Sequence, residues 1–123
     1  MPLVYSVFFF LFFRQSKEGG LFMSAEGLER NFQAKLIKEI KVRFPGCMVL
    51  KNDPNYIQGI PDLLILYNNK WAALECKKTS QSSHRPNQEY YISKMSEMSF
   101  ASFISKDNKE EVLNAMEQSL SAP

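Results

Sequence analysis

The chain has little of several things. It carries two cysteines, Cys47 and Cys76, in 123 residues. They show neither metal-site spacing nor a disulfide framework, which excludes a cross-linked secreted scaffold and predicts a reducing cytoplasm. Histidine occurs once, at His84, and a lone histidine is more often a surface residue than a catalyst. Charge of one sign is also scarce: 15 Lys and Arg face 13 Asp and Glu, a net of +2. A protein that coats DNA is usually more basic, so net charge lends little support to a nucleic-acid partner and leaves room only for a local basic face. There are no internal repeats. No apolar run reaches the roughly 20 residues a spanning helix requires, and no membrane partner is expected. The length suits one domain around one core.

Residues 1–22 differ from the rest. Met1 to Phe13 is almost wholly apolar, with Phe8, Phe9, Phe10, Phe12 and Phe13. It lacks a clear basic start and a small-residue cleavage site, which weighs against a signal peptide without removing that alternative or a membrane segment. Gly19-Gly20 can be encoded by a ribosome-binding sequence, and Met23 follows two codons later. The preferred expectation is therefore that 1–22 is translated upstream sequence and that the domain spans 23–120. Without Arg14, Lys17 and Glu18 the net charge becomes +1, by removing two cations and one anion from the +2 total.

The organising stretch is Gly59 to Lys78, GIPDLLILYNNKWAALECKK. Two apolar runs, Asp62 to Tyr67 and Trp71 to Lys77, flank Asn68-Asn69. Asparagine tolerates the positive φ of two-residue hairpin loops. With that loop Tyr67 faces Lys70, and counting back along the strands sets Asp62 opposite Glu75. Glu75 and Lys77, two apart, share a face. Both faces of the hairpin are apolar (Leu63, Leu64, Ile65, Leu66, Ala72, Ala73, Leu74), which predicts central, covered strands.

Opposed like charges destabilise a sheet, and buried carboxylates are costly unless paired or metal-bound. A divalent cation satisfies both acids. Hard oxygen ligands suit Mg²⁺ or Mn²⁺ better than Zn²⁺. Lys77 would then orient a water or stabilise developing negative charge.

The remaining chain alternates helices and strands. Ser24 to Arg43 reads as a helix capped by Ser24, with Phe32, Leu36 and Ile40 as its apolar stripe and Ile37 beside them. Glu29 falls on that stripe, either as a solvated helix-end charge or as a further acid for the site. Phe44-Pro45-Gly46 stops the helix. Cys47 to Lys51 reads as a strand, and Asn52 to Gly59 as a loop bordering Asp62. Lys51, Asn52 and Tyr56 are candidate phosphate contacts there, though Asp53 and Tyr56 equally suit a plain surface loop. Thr79 to Pro86 is a polar loop in which Lys78, His84 and Arg85 form a candidate phosphate-binding edge. Pro86 to about Met98 reads as a helix whose Tyr91, Met95 and Met98 point to the core. Phe100 to Ser105 reads as a strand and Asn108 to Leu120 as a helix with Val112, Leu113 and Met116 inward.

Pro61-Asp62 followed by Glu75-Cys76-Lys77 resembles the signature of the PD-(D/E)xK nuclease superfamily. The GIPDL and ECKK segments are most similar to phage and bacterial Holliday-junction-resolvase-like and VRR-NUC-type nucleases. The resemblance covers most of the chain after Met23. It implies an α/β fold with a restriction-endonuclease-like core, α-β-β-β-α-β-α, in which helices flank a central mixed four-stranded sheet. It implies a Mg²⁺- or Mn²⁺-dependent DNA endonuclease in a bacterial or phage-infected cytoplasm, with Asp62 and Glu75 as metal ligands and Lys77 beside the attacking water. In similar nucleases a glutamate on the first helix completes the acidic cluster, here Glu29 or, second, Glu26. The Cys76 carbonyl is a further ligand by resemblance, and Gln88 matches a glutamine or lysine near the metal. Branched DNA as substrate and a homodimer are likewise implied. Two readings of other classes remain: a DNA-binding module with an inactive nuclease fold, and a structural protein with a metal staple. The intact Asp62, Glu75 and Lys77 set weighs against the first. The second leaves an ammonium beside a cation without a role.

Overall fold

The computed structural model describes residues 25–123. The 1–22 segment and the Ser24 cap lie outside the described residues. Three helices, α1 (Ala25–Arg43), α2 (Pro86–Met98) and α3 (Lys109–Ser121), join four strands, β1 (Met48–Lys51), β2 (Leu63–Tyr67), β3 (Lys70–Cys76) and β4 (Phe100–Ile104). The order is the expected α-β-β-β-α-β-α.

The sheet runs β1-β2-β3-β4. β1 and β2 are antiparallel, β2 and β3 form the hairpin, and β4 joins β3 in parallel. A parallel neighbour requires the chain to travel back before pairing, and α2 makes that crossover. Asn68 takes φ 56°, the left-handed geometry the turn needs,. Tyr67 pairs with Lys70 and Leu63 with Leu74, the expected register.

One sheet face carries the core. Leu63 and Ile65 of β2, Ala72, Leu74 and Cys76 of β3, and Ile104 of β4 are buried with Phe32, Leu36 and Ile40 of α1 and Val112, Leu113, Met116 and Leu120 of α3. Alternate strand residues share a face, so these positions follow from the period of two. Each fully buried Leu or Ile contributes roughly 1.5–3 kcal/mol of transfer free energy. Phe44, just past α1, meets the Tyr67 ring edge-on at 5.3 Å between centroids. Lys109 pairs with Glu39 at 2.9 Å and Arg43 with Glu110 at 3.2 Å, tying α1 to α3. These half-exposed pairs add little beside the apolar burial.

The hairpin strands are central, as expected. The second face is covered over β3, where Ala73 and Glu75 are buried, and only half-covered over β2, at Leu64 and Leu66. α2 packs on β4 and part of β3, and it buries no side chain fully. Met98 is 65% exposed, and Tyr91 and Met95 are only half-buried. Toward β1 the face lies open: Met48 is 58% and Leu50 39% exposed. The Tyr91, Met95 and Met98 stripe is therefore not core, because a single 13-residue helix covers only one side of this face.

Candidate active site

Register places the hairpin acids. Beyond the Leu63–Leu74 pair the ladder sets Asp62 against Glu75, on the face opposite the core. The contact is direct at the backbone: Cys76 N donates to Asp62 Oδ2 at 2.8 Å. Asp62 is braced from behind. Asn52 N donates to Asp62 O at 2.9 Å, and Asn52 Nδ2 to Pro61 O at 2.8 Å. Asn52 thus holds the backbone of the acid-bearing loop through its own N–H and its side-chain amide. Lys77 N donates to Ile104 O at 2.8 Å, which extends the β3–β4 ladder to the lysine.

Gly59 permits the approach of α2. Its φ is +88°, and a Cβ there would lie 2.6 Å from Asn87 Cγ and 2.8 Å from the Asn87 carbonyl carbon. The loop before Asp62 therefore touches the first turn of α2 in a way only glycine allows. The next residue, Gln88, reaches the site. Its Oε1 accepts from Lys77 Nζ at 2.8 Å and from Arg85 N at 3.1 Å, and its Nε2 donates to Glu75 Oε2 at 2.9 Å. An ammonium only donates, so the amide orientation is fixed by its partners.

The electrostatics follow from enclosure. Glu75 is buried, with Phe103 beside it in the ladder and His84 stacked on the Phe103 ring at 3.6 Å. Burial, then the Asp62 charge, pushes the Glu75 carboxyl up to about 7, against the opposing pull of Lys77. Burial likewise raises Asp62, with the Cys76 amide pulling the other way. Two enclosed, mutually repelling carboxylates have hard oxygens and uncompensated charge. Asp62 Oδ1 accepts no hydrogen bond among the described residues, as the bond found uses Oδ2. These properties fit a divalent cation. Among the described residues, no group of three or more His, Cys, Asp and Glu side chains converges as a ready-made cluster. The Cys76 thiol is on the core face and is no ligand. Burial pushes it up to about 12, leaving the Cys76 carbonyl as its candidate contribution.

Glu29 is exposed rather than part of the buried stripe, which begins at Phe32. It lines a notch with Leu28, Phe32, Lys77, Lys78 and Lys106. Its charge is felt weakly at Asp62 and Glu75. The Glu26 side chain lies outside the described residues. Lys51 pairs with Leu63 in the ladder, so it belongs to the core-side face and not to that of the acids. Tyr56 is exposed, as is Asp53.

Of the expected edge of Lys78, His84 and Arg85, two members line different recesses. Lys78 is in the notch beside α1. His84 lines a separate recess of about 270 Å³ between α2 and β4 and lies 3.5 Å from Glu89. Arg85 is exposed at the N-cap of α2. Lys77 lines both recesses. The loop after it is pinned by Asp107, which accepts from Ser80 N at 3.0 Å and Ser80 Oγ at 2.5 Å and also holds Ser105 Oγ. Those three donors hold the Asp107 carboxyl down at about 2.

Lys106 was not among the sequence candidates. Its position follows from the parallel pairing of β4, which sets Ile104 against Cys76, and it lines the same notch as Lys78. Comparison with family models, curated proteins and solved structures yields no match. Among the described residues no helix is long and apolar enough to cross a membrane.

Proposed function

We propose that the protein is a metal-dependent DNA endonuclease of PD-(D/E)xK type. The observation that carries this reading is the placement of Asp62, Glu75 and Lys77 at one end of one sheet face, with Gln88 joining the lysine to the glutamate. Asp62, Glu75 and the Cys76 carbonyl would hold Mg²⁺ or Mn²⁺, with Glu29 as the outer acid. Such an ion, when bound, supplies Lewis-acid stabilisation of phosphate charge and lowers the pKa of its water. Gln88 accepts from Lys77, so the ammonium keeps two further donors for a water or a phosphate oxygen,. Gln88 also fixes one oxygen of Glu75 and leaves the carboxylate's rotamer set before substrate arrives.

A branched substrate, in the manner of a Holliday junction resolvase, and a homodimer are part of the proposal and rest on the resemblance alone. The deciding experiment offers purified protein four-way junction, flap, single-stranded and linear duplex DNA, with Mg²⁺ and with EDTA. Cutting of branched DNA in Mg²⁺ only is expected. Binding without cutting on every substrate would favour a DNA-binding module with an inactive nuclease fold.

A further inference from the structure

The notch between the start of α1 and the ends of β3 and β4 has a definite chemistry. Its volume is about 130 Å³, the space of about four liquid waters. The apolar side is Leu28, half-buried, over Phe32, which is buried. The polar side, among the described residues, is Lys77, Lys78 and Lys106 against the carboxylate of Glu29. Lys78 and Lys106 make no ion pair among the described residues, although acidic side chains are plentiful elsewhere on the surface. Lys77, Lys78 and Lys106 line the same notch, and like charges gathered in one place are unfavourable unless an anion comes between them. An anion with an apolar body attached is the complementary ligand.

We infer that this notch receives one unpaired nucleotide next to the scissile phosphodiester, its phosphate between Lys78 and Lys106 and its base against Leu28 and Phe32. The inference rests on the nuclease reading for the word scissile, and it names the substrate class of that site. Lys77 belongs to both the notch and the catalytic cluster, so the nucleotide bound here is adjacent to the one being cut. A notch of about 130 Å³ suits one base ring better than a base pair. Continuous duplex cannot enter without unpairing, whereas a flap, fork or junction presents a free nucleotide without that cost. Phosphate contact gives affinity, and the apolar wall requires the strand to be open.

The test measures binding in EDTA, so that it is independent of cutting, with the full chain and its Lys106→Ala and Leu28→Ala variants. The probes are a fluorescent forked duplex, whose unpaired arm starts at a fixed point, and a blunt duplex of the same length. Lys106 is exposed, so its removal leaves folding intact. Lys106→Ala is expected to weaken fork binding about fivefold or more and to reduce the salt slope by about 0.7 to 1, while blunt duplex changes by less than about twofold. An abasic nucleotide stepped along the first arm positions is expected to cost about tenfold at one position. That penalty should vanish in Leu28→Ala.

Equal loss on fork and blunt duplex, or no loss on either, overturns the inference, as does an abasic series with no sensitive position. Cutting is scored separately in Mg²⁺. A protein that shows the fork-specific effects yet cuts nothing would reject the nuclease reading and retain the notch. One that cuts forks with Lys106→Ala indistinguishable from the parent would do the reverse.

Discussion

Lys77 and Glu75 are joined through the side-chain amide of Gln88, which accepts from the ammonium at 2.8 Å and donates to the carboxylate at 2.9 Å. The lysine can therefore stay near the acid without neutralising it, and both groups keep a fixed direction.

Removing that link has a defined outcome. Hydrogen bonds to charged groups are worth roughly 1.5–3 kcal/mol, so Gln88→Ala is expected to slow cutting about 10- to 100-fold. Gln88→Glu should be worse, since it sets a third carboxylate against Glu75. Single-turnover rates on a forked substrate check both, and rates equal to the parent would remove Gln88 from the site.

The two hairpin roles separate by calorimetry. Asp62→Asn keeps an oxygen for the Cys76 amide and relieves repulsion from Glu75, so folding is preserved or improved while Mg²⁺ binding and cutting are lost and DNA binding is kept. Glu75→Gln should behave alike. Lys77→Ala should lose cutting and leave Mg²⁺ affinity nearly unchanged. Mg²⁺ bound by Asp62→Asn as tightly as by the parent would place the metal elsewhere.

Stability without metal should depend on pH through Glu75. Its folded value, about 7, lies above its ordinary 4.5. A carboxyl raised on folding favours the folded state below the ordinary value, and that advantage is lost as pH climbs from about 4.5 through 7. The loss is on the order of 3 kcal/mol. Urea midpoints in EDTA should fall across this window, and Glu75→Gln should flatten the slope. Mg²⁺ should restore stability most at the upper end, where both acids are ionised. A midpoint rising over the same window would contradict the enclosure of Glu75.

Gly59→Ala should destabilise by roughly 1–3 kcal/mol, because φ +88° and the Asn87 backbone both resist a Cβ,. Asn87 precedes Gln88, so the variant should also cut slowly. An unchanged urea midpoint together with an unchanged rate would show that this contact is dispensable.

Much of this was legible in the chain because it depends on short-range counting. Asn68-Asn69 sets the turn, the turn sets the register, and the register alone brings Asp62 to Glu75. Helical spacing also placed Phe32, Leu36 and Ile40 on one buried stripe. What spacing does not give is depth. Tyr91, Met95 and Met98 share a stripe as expected, yet the helix rests on only part of a face and Met98 stays in solvent. Glu29 has the right phase on α1, yet its side chain stays exposed. Lys51 was near Asp62 in sequence, but the period of two sends it to the other face. Lys106 needed the parallel pairing of β4, a long-range relation that local patterns leave open.

α2, which buries no side chain fully, has a consequence for motion. A helix anchored by few apolar contacts opens at lower free energy than the strands beneath it. Amide exchange should therefore be faster along Pro86–Met98 than in β2 and β3, at rates that report local rather than global unfolding. Each such opening takes Gln88 away from Lys77 and Glu75 while the hairpin acids stay in register. The protein can thus pass between a linked and an unlinked arrangement of Lys77 and Glu75 without unfolding, and a ligand that steadies α2 would lengthen the time spent linked.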